Sequence, residues 1–261
     1  MNDYSGARET LLPRPFSARR NRLRMFYSPA SRIAFAHYPK TAGCSVLAWF
    51  RRAFPDAAYV EPGNCHLPVR QSLEQLGLVT PRSQQPRLVR ECLRIIERIA
   101  PERCDLQTIG VVREPFEMLI SLYEYWRRFE FTEEPEAVLI QAARTGTFRE
   151  FLRLAVGEKL IANYQTYFDV GGPAWSTTRL VDFQSLSPGL DAVCEEFQIE
   201  PPVALNRLNA APRKGRDAGA YLAQVGSLVF EVRSHFRWYY EEAVHIMVRG
   251  QAPAARLRMA A

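Results

Sequence analysis

The residues best suited to chemistry in this chain are gathered in the heptapeptide Pro39, Lys40, Thr41, Ala42, Gly43, Cys44 and Ser45. Their types and spacing suit an anion. Lys40 supplies a full charge, Gly43 lets the backbone come close, and Ser45 offers a hydroxyl. Backbone N–H groups and the positive end of a helix dipole would complete a phosphate cradle, provided that a helix starts here. A second string, Arg113, Glu114, Pro115 and Phe116 with Ser121 and Tyr123 beyond, places a guanidinium and a hydroxyl eight residues apart.

The flanking sequence supplies the elements that must hold these groups. Residues 32 to 37, RIAFAH, read as a buried strand, and Val46, Leu47, Trp49 and Phe50 give the apolar positions of a helix over about 45 to 53. The heptapeptide is therefore expected at a strand-to-helix turn. Ile109, Gly110, Val111 and Val112 end a strand over 107 to 112 that runs into Arg113. Pro115 suits a first helical turn, and Met118, Leu119, Leu122 and Trp126 form the stripe of a helix over 115 to 129. Further strands are expected at 57 to 60 and 178 to 183, and a further helix at 88 to 99. Such alternation predicts an α/β fold with a parallel sheet and its ligands at the C-terminal strand ends.

Three parts complete the expected layout: an Arg-rich, poorly ordered arm over 1 to 30, a single domain over 31 to 250, and a tail over 251 to 261. Residues 130 to 158, with Glu130, Glu133, Glu134 and Glu136 early on, read as helical, partly solvated and suited to a wall or lid of a cleft. A long helix is expected over 217 to 247 from Leu222, Val225, Val229, Val232, Phe236 and Tyr240, with Phe236, Trp238, Tyr239 and Tyr240 assigned to core packing.

Composition narrows the function. The 261 residues are 47% hydrophobic and 24% charged, enough for one sizeable core, and a net charge of +6 suits an anionic ligand. Three of the 34 basic residues are lysines, at 40, 159 and 214, and two of those three fall in suspected phosphate loops. Cys44, Cys65, Cys92, Cys104 and Cys194 are scattered without Cys-x-x-Cys pairs, which argues against a disulfide framework or structural zinc and for a reducing cytoplasm. No run reaches the roughly eighteen apolar residues of a membrane span. The arm, with Arg14, Arg19, Arg20, Arg22 and Arg24, reads as a solvated tail rather than a nucleic-acid contact; peripheral membrane contact stays open.

The order of residues in the first loop separates two families. The nucleotide-triphosphate P-loop sets its Lys after the second Gly and directly before Ser or Thr, and no such string is present. Here Lys40 precedes Gly43 and stands five residues before Ser45. That order resembles the 5′-phosphosulfate loop of sulfotransferases that use 3′-phosphoadenosine 5′-phosphosulfate, with Cys44 where the family commonly has Thr. Arg113 and Ser121 resemble the family's 3′-phosphate motif. Arg179 to Leu186, Asn163 to Thr166, and Asn206 to Gly215 resemble later segments, so that the likeness spans about residues 32 to 245. The pattern is most similar to polysaccharide, heparan-type and bacterial carbohydrate sulfotransferases.

That resemblance implies a P-loop-like three-layer fold, a central parallel sheet flanked by helices, and a soluble enzyme without a membrane anchor. It implies transfer of a sulfuryl group from 3′-phosphoadenosine 5′-phosphosulfate to an acceptor hydroxyl, on a carbohydrate or glycolipid, without a metal and with adenosine 3′,5′-bisphosphate as product. Lys40 would neutralise the leaving oxygen. The backbone of Thr41, Ala42, Gly43, Cys44, Ser45 and Val46, with the Ser45 hydroxyl, would hold the 5′-phosphate. Arg113 and Ser121 would hold the 3′-phosphate, joined by Arg213, Lys214 and Gly215, which resemble a family Arg-Lys-Gly triplet. His66 occupies the region from which several polysaccharide sulfotransferases supply a general base. Its rivals are His37, for which a role in orienting the loop is favoured, Glu61 and Glu114; His235 and His245 read as ordinary helix residues. Two other classes remain in view, a magnesium-dependent P-loop kinase and a glycan-binding relative that has lost its chemistry.

Overall fold

The structure is a computed structural model that describes residues 25–59, 68–78, 106–128, 137–168, 178–200, 205, 218–243 and 247. Five strands form one open sheet in the order β3-β1-β2-β4-β5: β1 (Phe26–Ser28), β2 (Ile33–Ala36), β3 (Ala58–Tyr59), β4 (Gln107–Val112) and β5 (Thr178–Asp182). β2, β4 and β5 run parallel, with Ala36 opposite Gly110 and Val112 opposite Asp182. The sheet is mixed rather than wholly parallel, because β1 pairs antiparallel with both β2 and β3. A tight turn over residues 29 to 32 folds β1 back on β2, and a crossover is needed only where strands continue in the same direction. β1 also lies inside the stretch read as a poorly ordered arm. Phe26 explains it: opposite Phe35 and edge-on to Phe50 at 5.7 Å, it belongs to the core.

Both faces of the sheet are covered, as near-continuous apolar strands require. One cluster takes Ile33 and Phe35 of β2, Ile109 and Val111 of β4, and Val181 of β5, with Trp49 and Phe50 of α1 (Gly43–Ala53) and Leu190 and Val193 of a later helix, Leu186–Phe197. The alternate residues, Ala34, Ala36, Val112 and Leu180, face the second and larger cluster. That cluster takes in α2 (Val69–Gln75), α3 (Pro115–Trp126), α4 (Ala137–Thr145), α5 (Phe148–Leu152) and α6 (Tyr164–Phe168).

In chain order the remaining helices are α7 (Leu186–Phe197), α8 (Ala218–Val225) and α9 (Leu228–His235). Two expectations change here. The described part of 130 to 158 is helical and partly solvated, with Val138 exposed, but it also belongs to the core: Leu139, Ile140, Phe148, Phe151 and Leu152 are buried, and α5 runs into a π-helical turn, Arg153–Gly157. The long helix over 217 to 247 is interrupted at Gly226 and Ser227 and passes into a second π-helical turn, Tyr239–Ala243; Leu222 is exposed. Phe236 and Trp238 are buried as expected. The helix expected at 88 to 99 lies outside the described residues.

Candidate functional site

β2 and β4 are neighbours, so the turns that leave their C-terminal ends emerge side by side at one edge of the sheet, about one strand spacing, ~4.8 Å, apart. The first turn carries the heptapeptide. Lys40 and Ala42 both hold left-handed backbone, at φ 60° and φ 62°, on either side of Thr41. Non-glycine residues adopt this at a cost of roughly 1–2 kcal/mol each, and the conformation turns successive N–H groups toward one side. Something must hold it. The buried Thr41 hydroxyl donates to the Tyr38 carbonyl at 2.8 Å, and the Ala42 carbonyl accepts from the N–H groups of Ser45 and Val46 at 2.9 and 3.1 Å. Those two amides therefore close the first turn of α1. The loop amides left to face an anion are those of residues 41 to 44, a narrower set than 41 to 46.

The start of α1 is built without its own caps. Ala42 at the N-cap makes no side-chain cap bond, and no acidic residue stands in the first turn. Neither an N-cap side chain nor a first-turn carboxylate compensates the positive end of the helix. Ser45 is buried there, and Cys44 is an exposed free thiol. Gly43 is required by a close approach. A Cβ on it would lie 1.7 Å from Nε2 of His37, whose ring covers the glycine, so His37 shapes the loop as a packing partner.

Lys40 reaches from this loop to α3, where its Nζ lies 4.2 Å from the centre of the Tyr125 ring. Burial lowers its pKa from the ordinary lysine value; Cys44 opposes that shift, and Arg128 and Arg113 add to it. Lys40 is therefore a partly desolvated cation with two arginines, Arg128 and Arg113, close enough to repel it. An incoming anion relieves both terms.

The second turn is organised by side chains. Arg113 follows β4, and its Nε lies 3.2 Å from Oε2 of Glu117, while its guanidinium lies 4.4 Å from the centre of the Phe183 ring. Glu117 also accepts a bond from Gln184 at 3.4 Å. The Arg113–Glu117 pair is partly exposed, which puts it in the class of ion pairs worth about 0–1 kcal/mol. Charge-assisted bonds from an arginine to phosphate are stronger, at ~1.5–3 kcal/mol. Glu114 caps α3, accepting from the Glu117 N–H at 2.8 Å and from the Tyr240 hydroxyl at 2.8 Å. Both carboxylate oxygens are engaged in structure, which moves Glu114 away from the role of general base.

One stripe of α3 joins the two turns. Glu117, Ser121 and Tyr125 follow each other on α3 at helical spacings of four, and Arg128 follows three residues later in the turn that ends it. Glu117 touches Arg113 at one end and Tyr125 touches Lys40 further along, so Ser121 lies along the helix between the residues that meet the two cations. Tyr125 and Arg128 were not singled out from the sequence, although continuing the spacing from Ser121 would have found them. Phe183 and Gln184 had no such signal, because β5 brings them to Arg113 across the sheet.

His66, Glu61, Arg213, Lys214 and Gly215 lie outside the described residues, as does His245. His235 is more than an ordinary helix residue: its Nε2 lies 2.8 Å from the Ile161 carbonyl, and burial lowers its pKa. Among the described residues, no group of three or more His, Cys, Asp or Glu side chains is arranged to hold a metal ion. Among the same residues, no helix is long and apolar enough to cross a membrane. Comparison with known proteins gives no match to any family model, curated protein or solved structure.

Proposed function

We propose that the protein is a sulfotransferase that moves a sulfuryl group from 3′-phosphoadenosine 5′-phosphosulfate to an acceptor hydroxyl on a saccharide. One observation carries the reading. Two anion-seeking turns leave adjacent parallel strands, one an uncapped helix start beside Lys40 and the other centred on Arg113, and a single helix stripe bearing Ser121 runs between them. Two phosphates on one nucleotide suit two such turns better than one contiguous triphosphate does. Apolar clusters on both faces of the sheet support a P-loop-like three-layer arrangement as part of the same reading. A reducing cytoplasm is the compartment proposed with it, from the scattered cysteines.

The acceptor oxygen attacks sulfur as the bond from sulfur to the bridging phosphate oxygen breaks, and negative charge grows on that oxygen. Lys40 neutralises the charge, and its partial desolvation makes that interaction stronger in the transition state than water would allow. The amides of residues 41 to 44 hold the 5′-phosphate, and Ser45 adds a hydroxyl at the start of α1. Arg113 and Ser121 hold the 3′-phosphate, and Arg213, Lys214 and Gly215 are proposed to join them. The acceptor proton passes to His66 as general base, with Glu61 as the alternative. The packing of His37 on Gly43 supports its role in orienting the loop, which leaves it a rival base behind these two.

Turnover with labelled phosphosulfate donor and a panel of saccharides tests the proposal. A labelled sulfate ester supports it. Phosphoryl transfer from magnesium ATP, with no transfer of label from the phosphosulfate, would replace it with the kinase reading. His66→Ala is expected to lower turnover about 10² to 10⁴-fold while preserving bisphosphate affinity. Activity within a few-fold of the parent moves Glu61 to the front.

A further inference from the structure

Three tyrosines stand where the strand ends pass into the two turns. The Tyr164 hydroxyl donates to the Arg113 carbonyl at 2.8 Å and accepts from the Arg113 N–H at 3.3 Å. The Tyr167 hydroxyl donates to the His37 carbonyl at 2.6 Å. Tyr38 answers from the loop side, donating to the Ala162 carbonyl at 2.5 Å. All three rings are buried, and Tyr38 meets Tyr164 and Tyr167 edge-on at 4.6 and 4.9 Å. The same short helix is seated on the sheet by Phe168, which packs so closely over Gly110 that an added Cβ would lie 2.4 Å from the ring.

Packing alone would be served by phenylalanine. A hydroxyl buried among aromatic rings is costly unless it is hydrogen-bonded, and here each one is bonded to backbone at a strand end or to the segment that leads into α6. Burial raises the pKa of each of these tyrosines, so all remain protonated donors throughout the neutral range. The Arg113 backbone is held at both its N–H and its C=O by one side chain. His37 is held by its carbonyl while its ring shapes Gly43. The α6 segment thus grips both turns from one buried block.

We infer that Tyr164 and Tyr167 are positioning residues that fix the separation of the two anion-binding turns, and with it the spacing of the two phosphates that the protein accepts. Tyr164 governs the turn at Arg113, and Tyr167 governs the turn at Gly43. The inference rests on the bisphosphate reading above and adds the source of its ligand geometry. It makes the block, rather than the side chains that touch phosphate, the discriminator between 3′,5′ and 2′,5′ isomers.

Calorimetry with adenosine 3′,5′-bisphosphate, adenosine 2′,5′-bisphosphate and adenosine 5′-monophosphate tests it on the full chain. The wild type is expected to favour the 3′,5′ isomer by about 10-fold or more, the worth of one charge-assisted bond. Tyr164→Phe keeps the ring and should erode that preference to a few-fold while leaving the monophosphate unchanged. Tyr167→Phe should weaken the monophosphate and the 3′,5′-bisphosphate by the same factor, about 5-fold. If the wild type binds neither bisphosphate, the functional reading fails and takes the inference with it. If the wild type discriminates and Tyr164→Phe discriminates equally well, or loses all three ligands in parallel, the inference alone is overturned. Should Tyr164→Phe not fold, the Tyr167→Phe result decides: unchanged monophosphate affinity overturns the proposal.

Discussion

Two helix starts in this protein follow neighbouring parallel strands and are built in opposite ways. At α1 the N-cap is a left-handed Ala42 without a side-chain bond, the first turn holds no acid, and Lys40 stands two residues before the cap. At α3 the start is fully capped: Glu114 accepts from the Glu117 N–H, Pro115 occupies the first turn, and Glu117 adds a second carboxylate. The first site offers backbone and dipole to an external anion. The second satisfies its own backbone and offers only the Arg113 side chain, already leaning on Glu117 and Phe183. The difference teaches that, on the proposed reading, anion affinity at α1 would come from unfinished structure, whereas at α3 it would depend on one guanidinium that an acid keeps in place.

The comparison is broken most severely at Lys40. Lys40→Ala should lower turnover about 10²-fold or more, because on the proposed mechanism it removes the charge that neutralises the leaving oxygen. The same change should not lower thermal stability, since the native state holds that cation partly desolvated and beside Arg128 and Arg113. A loss of melting temperature together with activity would mean that Lys40 holds the loop rather than the ligand. Next in size is Arg113→Ala, expected to weaken adenosine 3′,5′-bisphosphate by about 10 to 100-fold while sparing adenosine 5′-monophosphate. Equal losses in calorimetry would indicate one merged anion site.

Smaller effects sharpen the contrast. Bisphosphate affinity should decline with rising pH from a point below the ordinary lysine value of 10.5. The stability of the free protein should move the other way. In the window between the lowered native pKa and 10.5 the unfolded chain binds more protons, so stability rises with pH across it. Chemical denaturation across that range checks the sign. Glu117→Gln should tighten bisphosphate binding about 2 to 5-fold by removing a competing carboxylate of an exposed ion pair. Weaker binding would show that Glu117 orients Arg113 more than it competes for it. Glu114→Ala should cost about 1 kcal/mol of stability, the usual worth of a cap, and leave the α1 site unaffected.

Sequence made the frame of the site legible where local signals were strong. Residues 107 to 112 are apolar, bounded and followed by Arg113 and Pro115, and β4 spans the same residues. The turn before α1 was legible because Lys40, Gly43 and Ser45 lie between a strand pattern and a helix pattern. β1 was not, because its three residues follow an Arg-rich stretch and owe their pairing to Phe35 and Phe50. The break in the last long helix had a local signal in Gly226, outweighed by the apolar stripe on either side. Phe183 under Arg113 and the tyrosines that grip the strand ends depend on contacts across 51 to 130 residues of chain, which no local pattern encodes. Side-chain identity gave the chemistry, and tertiary packing set its geometry.

The account stands most directly on whether the two turns serve one ligand. Calorimetric titration of the wild type with adenosine 3′,5′-bisphosphate, adenosine 5′-monophosphate and ATP, each with chelator and with magnesium, measures that. The account predicts that the bisphosphate binds at least about 10-fold more tightly than the monophosphate, with no dependence on magnesium. Equal affinity for the two, or a preference for ATP that appears only with magnesium, would contradict it.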